Sequence, residues 1–443
     1  MKLIINNAST SSRLLGKNED EITSVSLLID GGKIAALSET PITIKSVKTI
    51  DAKALFLSPG LLDPQVHFRE PGMEYKEDIE SGSKAAVKGG FTAVVSMPNT
   101  TPTADNADTV RFMVETAAKK GLCKVYPTGA LSKGLEGKSM TDFSALTSAG
   151  AVAITDDGKG VQNNALFKQA LVSAKHLGVP VLDHSEDETL SNGGAIHEGE
   201  ISKKFNVKGI KSASESVHVE RGCDYSLETG GHYHVLHVST SASIEAVKQA
   251  KERGANVTVE VSPHHLLLCD EDIAIKSDGT LDANWKMNPP LRSREDMLAC
   301  QNALVEGVID AIATDHAPHS PEEKKQPIEQ APFGIIGLET AFPLIFTHFV
   351  KTEKLTLGRA IDLMSKNSGA IFGIRCGRIE QGEVADLVLF DFAKISDTAT
   401  WEQPTSTPVG IKAVLVNGNI AVLDGSIINK SAGKVLYGPG SQF

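Results

Sequence analysis

The sequence predicts an α/β fold, a (β/α)8 TIM-type barrel with a small β domain assembled from both chain ends. Three observations carry the expectation. Both ends are rich in short strand-like runs broken by turn residues. The middle alternates strand-like with helix-like segments. Eight such strands recur over about the length a barrel of this kind needs.

From the start of the chain, Lys2–Ile5, Val25–Asp30 and Lys33–Leu37 read as strands, with Gly31-Gly32 as a hairpin turn. At the other end Asp386–Asp391, Ala413–Val416 and Ile420–Leu423 read alike, and Asn417-Gly418-Asn419 supplies a turn. These ends define a small β domain over 1–57 plus 378–443, around a barrel over 58–377.

Barrel strands are expected near Leu61–Phe68, Phe91–Met97, Lys124–Thr128, Ala151–Thr155, Val179–His184, His234–Val238, Asn256–Val261 and Ile309–Asp315. Helical patterning lies between them at Ile79–Lys88, Ala107–Lys119, Asn163–Leu177, Ile244–Arg253 and Arg294–Glu306. The third-to-fourth and seventh-to-eighth connections read as more loop-like. Ser185–Gly209 has weak periodicity and is expected to be a long active-site loop.

Composition narrows the function. The chain has 443 residues, 41% hydrophobic and 22% charged, with a net charge of -11. That balance disfavours a nucleic-acid partner, which needs clustered Lys and Arg. Five scattered cysteines form no C-x-x-C pair, so neither a disulfide framework nor a thiolate metal site is expected. The first ten residues lack signal-peptide character, and no apolar run approaches the ~18 residues of a membrane span. A soluble, cytoplasmic protein is the expectation.

In a parallel barrel the chemistry sits where strands end. Strand one reads Asp63-Pro64-Gln65-Val66-His67, and alternation puts Asp63, Gln65 and His67 on one face. Strand four runs into Asp156-Asp157-Gly158, strand five into Asp183-His184, strand six reaches His237, and strand eight ends in Asp315-His316-Ala317-Pro318-His319. Imidazoles and carboxylates from separate strands can converge on a zinc ion. A single strand-end histidine is more often a hydrogen-bonded structural residue, the reading retained for His176, His197, His218, His232 and His348. His234 is an odd step from His237 and is expected to face outward. Asp156 or Asp157 alone reads as a turn residue before Gly158. Joint placement at five strand ends is what favours a metal site.

The stretches His67-Phe68-Arg69-Glu70-Pro71-Gly72, Met97-Pro98-Asn99-Thr100, Thr155-Asp156-Asp157-Gly158, Ser262-Pro263-His264-His265, Met287-Asn288-Pro289-Pro290-Leu291-Arg292-Ser293, Ala313-Thr314-Asp315-His316-Ala317-Pro318-His319 and Ala331-Pro332-Phe333-Gly334-Ile335 resemble the bacterial class I dihydroorotases of the amidohydrolase superfamily. The likeness runs over nearly the whole chain. It implies that His184 and His237 hold one zinc, that Asp157 bridges two metals, and that His67 and Asp315 serve the other metal. Asp315 would also carry the catalytic proton. His264 and His265 have no role in this scheme. Gln65 stands where a histidine ligand is expected. An amide oxygen is a poorer zinc donor than imidazole, so one or two Zn²⁺ are expected, with the Gln65 site the weaker.

The resemblance further implies reversible cyclisation of N-carbamoyl-L-aspartate to L-dihydroorotate, a step of pyrimidine biosynthesis. Dihydroorotate carries a carboxylate that hydantoins and allantoin lack, and Arg69 offers a planar fork for it. In isolation a local pair of Arg69 with Glu70 would be the commoner arrangement. Asn99 and His319 are expected to complete the carboxylate pocket, while Asn288 and the Phe333-Gly334 backbone read the ring's amide edge. No lysine lies between Gly150 and Asp157, where hydantoinase-like relatives place a carboxylated lysine. Two alternatives compete: an allantoinase- or hydantoinase-like enzyme, and a silent dihydroorotase-like partner of aspartate transcarbamoylase, motivated by Gln65. A homodimer is a further family expectation. Glu70–Tyr75 and Ala331–Gly337 are candidates for a loop that closes over substrate.

Overall fold

The computed structural model describes residues 2–396, 408–429 and Gly433. Its centre is a ring of eight parallel strands at Leu61–Val66, Phe91–Ser96, Lys124–Pro127, Ile154–Thr155, Val181–Asp183, Tyr233–Val235, Val257–Val261 and Ala311–Ile312. The third strand breaks at Thr128 and resumes as Gly129–Ala130, which pairs with strand four. Each strand pairs in parallel with the next. A bridge between Val66 and His316, with His67 N–H donating to His316 O at 2.8 Å, closes the ring. The protein is therefore an α/β barrel, and its eight strands fall where alternation and β-branched runs predict them, most of them shorter than expected.

A tight set of apolar side chains fills the lumen. Leu62, Ala93, Val95, Ala153, Leu182, Leu236 and Ala311 pack together with Ile371 and Phe372. Residues from strands on opposite sides of a ring can touch only through its interior, so this cluster is the barrel's inner core. A larger core lies between the strands and the surrounding helices and continues into the terminal sheet.

The helices at Ile79–Lys88 and Arg294–Glu306 have the predicted bounds. The former starts in a reciprocal Asp78/Ser81 cap and the latter under Ser293, each satisfying N–H groups left open by the first turn. The longest helix, Ala213–Thr229, was not among the predicted ones: its polar composition blurs the apolar stripe, yet Glu215 and His218 are buried on it. Ser185–Gly209 is not one long loop. It folds into Glu188–Ser191, Ile196–His197 and Glu200–Phe205, with Ile196–His197 paired to Gly209–Ile210. Elements of two to six residues are too short to show a period.

Strands from both chain ends share one nine-stranded sheet. Phe56–Pro59 pairs antiparallel with Leu387–Phe390, joining the N-terminal strands Lys2–Ser11, Ile22–Asp30 and Lys33–Ser38 to Ile411–Val416 and Asn419–Leu423. Gly31 and Gly32 both have positive φ, 58° and 83°, as a tight two-residue hairpin demands. Residues 397–407 and most of 430–443, within the expected small domain, lie outside the described residues. Among the described residues no helix is long and apolar enough to cross a membrane, and all five cysteines are free.

Candidate metal centre

Asp157 is the hub of the site. It follows strand four, and its Oδ1 lies 3.5 Å from His184 Nδ1 and 3.8 Å from His237 Nε2. The two imidazole nitrogens are themselves 3.0 Å apart. These three buried residues form a cluster able to hold a metal ion. Burial alone would raise the Asp157 pKa, but His67, His184 and His237 together hold it well below the usual carboxylate range. Asp156 faces elsewhere, accepting from the Ser132 N–H at 2.8 Å and from its hydroxyl. Of the adjacent pair, only Asp157 belongs to the centre.

His184 is oriented from behind. Its Nε2 lies 3.0 Å from Glu186 Oε2, which also accepts from Asn288 Nδ2 at 2.6 Å. A carboxylate behind a histidine fixes its ring and leaves the other nitrogen for a ligand. Burial would lower the His184 pKa, yet Asp157 and Glu186 raise it to about 10, while His184 and Asn288 draw Glu186, despite its burial, down to about 2. Sequence reasoning missed Glu186. Its one signal was proximity, two residues beyond His184, in a segment read as loop.

On the other side of Asp157, His67 Nε2 lies 3.2 Å from Asp157 Oδ2 and 3.0 Å from Asp315 Oδ1. Its Nδ1 donates to Asn99 Oδ1 at 3.0 Å. Burial opposes the charged ring, but these carboxylates prevail and raise its pKa. Gln65 is fully buried, and its Nε2 donates to Asp157 Oδ2 at 3.0 Å. A carboxylate only accepts, so the amide must face it with its NH₂ group, and Gln65 Oε1 is left without a partner.

His237 and Asp315 both adopt positive φ, 31° and 49°. Such backbone is uncommon outside glycine and occurs where the surroundings enforce it. Just after His237, Glu215 accepts from the Ser239 and Thr240 N–H groups at 3.1 and 3.0 Å while Arg292 donates to Ser239 Oγ at 3.0 Å. The irregularity also breaks side-chain alternation, which corrects the expectation for His234. Instead of facing outward it is wholly buried, bonded to Thr258 and Glu260 and packed on Phe372 of the inner core.

Arg69 is buried, and its hydrogen bond in the site is a long one from Nε to Pro318 O, 3.4 Å. The local pair with Glu70 does not form, because Glu70 binds the Ile79 N–H and Lys120 instead. The guanidinium thus stands close to Asp315 with most of its donors uncommitted. Burial lowers its pKa from the ordinary value against the pull of Asp315, Glu77 and Asp157.

His319 and the Phe333-Gly334 backbone are placed differently from expectation. His319 Nε2 donates to Phe333 O at 2.7 Å, and its Nδ1 accepts from Lys76 Nζ at 3.2 Å. Burial, with Arg69 and Lys76 adding to it, lowers its pKa to about 3, so the ring is neutral. Gly334 N–H is taken by Lys286 O and Gly334 O by Lys324. Phe333 lines, with Glu186, Glu188 and residues 191–194, a cavity of about 400 Å³. His265 is held structurally between Ser262 Oγ and Pro289 O, and the buried His264 ring packs against it at 4.4 Å with its Nε2 unpartnered among the described residues. His316 is likewise held by Glu77.

One carboxylate and two imidazoles fit a divalent ion such as zinc. Gln65 fits less well, since it turns hydrogens rather than its oxygen toward Asp157. Side chains of this kind converging beyond the ends of parallel barrel strands define a metal-dependent hydrolase, and the likenesses to known proteins make it one of the cyclic-amide type. A family profile described as Dihydro-orotase-like matches residues 54–243. Dihydroorotase of Brevibacillus brevis is 45% identical over 412 residues, 92% of this chain and 96% of that one. Dihydroorotase of Geobacillus kaustophilus is 47% identical over 376 residues, 84% of this chain and 87% of its own. The chain belongs to the dihydroorotase family. In fold it is similar to L-hydantoinase (dihydropyrimidinase) from Arthrobacter aurescens, with a TM-score of 0.82 at 23% identity over 96% of this chain and 97% of that one. D-hydantoinase (dihydropyrimidinase) from Thermus sp. superposes with a TM-score of 0.80 at 25% identity, over 98% of each chain.

Proposed function

We propose that the chain interconverts N-carbamoyl-L-aspartate and L-dihydroorotate, with Asp157, His184 and His237 holding a zinc ion. The observation that carries the reading is the uncommitted, buried Arg69 beside Asp315, at the mouth of the Asp157–His184–His237 cluster. A buried guanidinium without a protein carboxylate partner matches a substrate that brings its own carboxylate. A hydantoin or allantoin brings none.

A bound divalent ion supplies a water of lowered pKa and polarises the ring carbonyl. The protein's own groups do the rest. Arg69, with Asn99 beside it, binds the substrate carboxylate and sets the ring's orientation. His319 is neutral and joins that pocket only by releasing Phe333 O. Asn288 faces the ring's amide edge from the Glu186 side. Asp315 takes the proton of the attacking water and returns it to the departing ring nitrogen as the C–N bond breaks, yielding a free carboxylate and the ureido group. Ring closure runs the same proton transfer backwards. His67, bonded to Asp315 and Asp157, fixes the carboxylate that moves the proton.

Gln65 makes the two sides of Asp157 unequal. The side of His184 and His237 binds metal tightly. The side of Gln65, His67 and Asp315 binds it weakly, through Gln65 Oε1 after the amide turns. A substrate panel tests the reading: the zinc-loaded chain turns over dihydroorotate and carbamoyl aspartate but not allantoin or hydantoin. Allantoin turnover without dihydroorotate turnover reverses the assignment, and no turnover of any of them supports the silent, partner-type reading. The family resemblance is what supports a cytoplasmic setting and a homodimer for this enzyme.

A further inference from the structure

Two lysines near the mouth, Lys324 and Lys286, make no direct ion pair among the described residues and spend their donors on backbone carbonyls instead. Lys324 Nζ donates to three backbone carbonyls, Lys286 O and Pro332 O at 3.1 Å each and Gly334 O at 2.9 Å. An ammonium has three N–H donors, so every one is spent: two on the carbonyls flanking Phe333 and one on Lys286 O, which also accepts from Gly334 N–H. Lys286 also contacts the turn. Its Nζ lies 4.3 Å from the centroid of the Phe333 ring and donates to Glu329 O at 3.2 Å. Gly334 N–H closes the arrangement by donating to Lys286 O at 3.0 Å.

Charge-assisted bonds to carbonyls and a cation over an aromatic face are both stronger when desolvated. Lys286 is buried and Lys324 half-buried, and burial lowers each pKa from the ordinary value to about 8, leaving them charged at neutral pH. Two partly desolvated charges thus converge on one short turn and fix its position. Phe333 lines the same cavity as Glu186, the carboxylate behind His184.

We propose that Lys324 and Lys286 are positioning residues that clamp the Pro332–Gly334 turn, Lys324 through its carbonyls and Lys286 through the Phe333 ring, so that Phe333 walls the substrate against Asn288 and His184. The clamp acts on binding and not on the proton transfer, which belongs to Asp315. It rests on the dihydroorotate reading for the identity of what is walled in, but not for the turn's order.

The test compares the full-length zinc-loaded wild type with Lys324→Met and Lys286→Met, each measured by steady-state kinetics with dihydroorotate and by backbone hydrogen exchange. In Lys324→Met the KM rises about tenfold or more, the loss expected of charged hydrogen bonds, with kcat within about threefold. Exchange quickens over 331–337 and stays at the wild-type rate in the barrel strands. Lys286→Met, which leaves the carbonyl tripod intact, shows a smaller change of the same kind and decides the matter if Lys324→Met fails to fold. An unchanged KM together with unchanged exchange over 331–337 overturns the proposal, as does a fall in kcat at constant KM. If the wild type does not turn over dihydroorotate, the functional reading fails, and the exchange rates alone still judge the clamp.

Discussion

Gln65 is one side chain whose chemistry sets the character of the whole centre. Its NH₂ group faces Asp157 at 3.0 Å, on the side away from His184 and His237. Metal analysis after dialysis should find about one tightly held ion per chain in the wild type and about two in Gln65→His, where an imidazole nitrogen replaces the amide. Equal, tight binding of two ions by the wild type contradicts this account. Arg69→Met should raise the KM for dihydroorotate by about 100-fold, the loss of a charge-assisted bidentate contact of 2–3 kcal/mol, with a smaller effect on kcat. An unchanged KM removes Arg69 from the carboxylate pocket. At this scale the sequence was informative about residue type and position: strand ends brought the Asp156-Asp157 pair, His184 and His237 into one reading, and the family resemblance singled out Asp157. It could not show which hydrogen bonds were already taken. His319 and Gly334 look available in sequence and are engaged in the fold, whereas Glu186 looks like a loop carboxylate and orients a histidine.

The elements that hold these residues differ in how plainly their sequences announce them. Helices such as Ile79–Lys88 carry both a cap and a stripe, and so were readable to the residue. Ala213–Thr229 buries Glu215 and His218 on its inner face, and polar residues doing a core residue's work hide the pattern. Alternation failed at His237, where positive φ takes the chain out of strand geometry. The turn after strand eight has its own constraint. Gly334 sits at φ +139°, and a Cβ there would meet Ala317 O at 2.4 Å. Gly334→Ala should therefore displace the turn, weakening substrate binding at least as much as loss of the Lys324 tripod. Wild-type kinetics in that variant would show that the turn is dispensable.

For the molecule as a whole, the barrel and the sheet from the chain ends are cross-linked by charge. Asp362, on the helix Leu357–Leu363, receives Arg13 from the N-terminal segment at 2.6 Å and Arg378 at 2.8 Å. Asp362→Ala should cost about 3 kcal/mol of stability, read from the denaturation midpoint, because it strands the Arg378 charge. Stability should also fall with acid. Burial holds His197 and His232 at about 4 and the wholly buried His234 at about 3. Their unfolded value is about 6.5, so the unfolded chain binds more protons between the two. The stability they confer is complete above pH 6.5 and is lost as pH falls toward 4 and 3. His232→Gln should flatten that dependence by about 1.4 kcal/mol per pH unit, and an unaltered slope would contradict the assignment. The barrel itself was legible because its strands are buried, apolar-rich runs separated mostly by segments of helical period. The nine-stranded order of the terminal sheet was not, since pairing partners far apart in sequence leave no local signal.

All three scales meet in one experiment: ring opening of L-dihydroorotate measured as zinc is added back to the metal-stripped chain. The account predicts turnover that climbs and saturates near one equivalent of zinc, set by Asp157, His184 and His237. No turnover at any zinc level, or turnover that appears only after a second equivalent has bound, would contradict it.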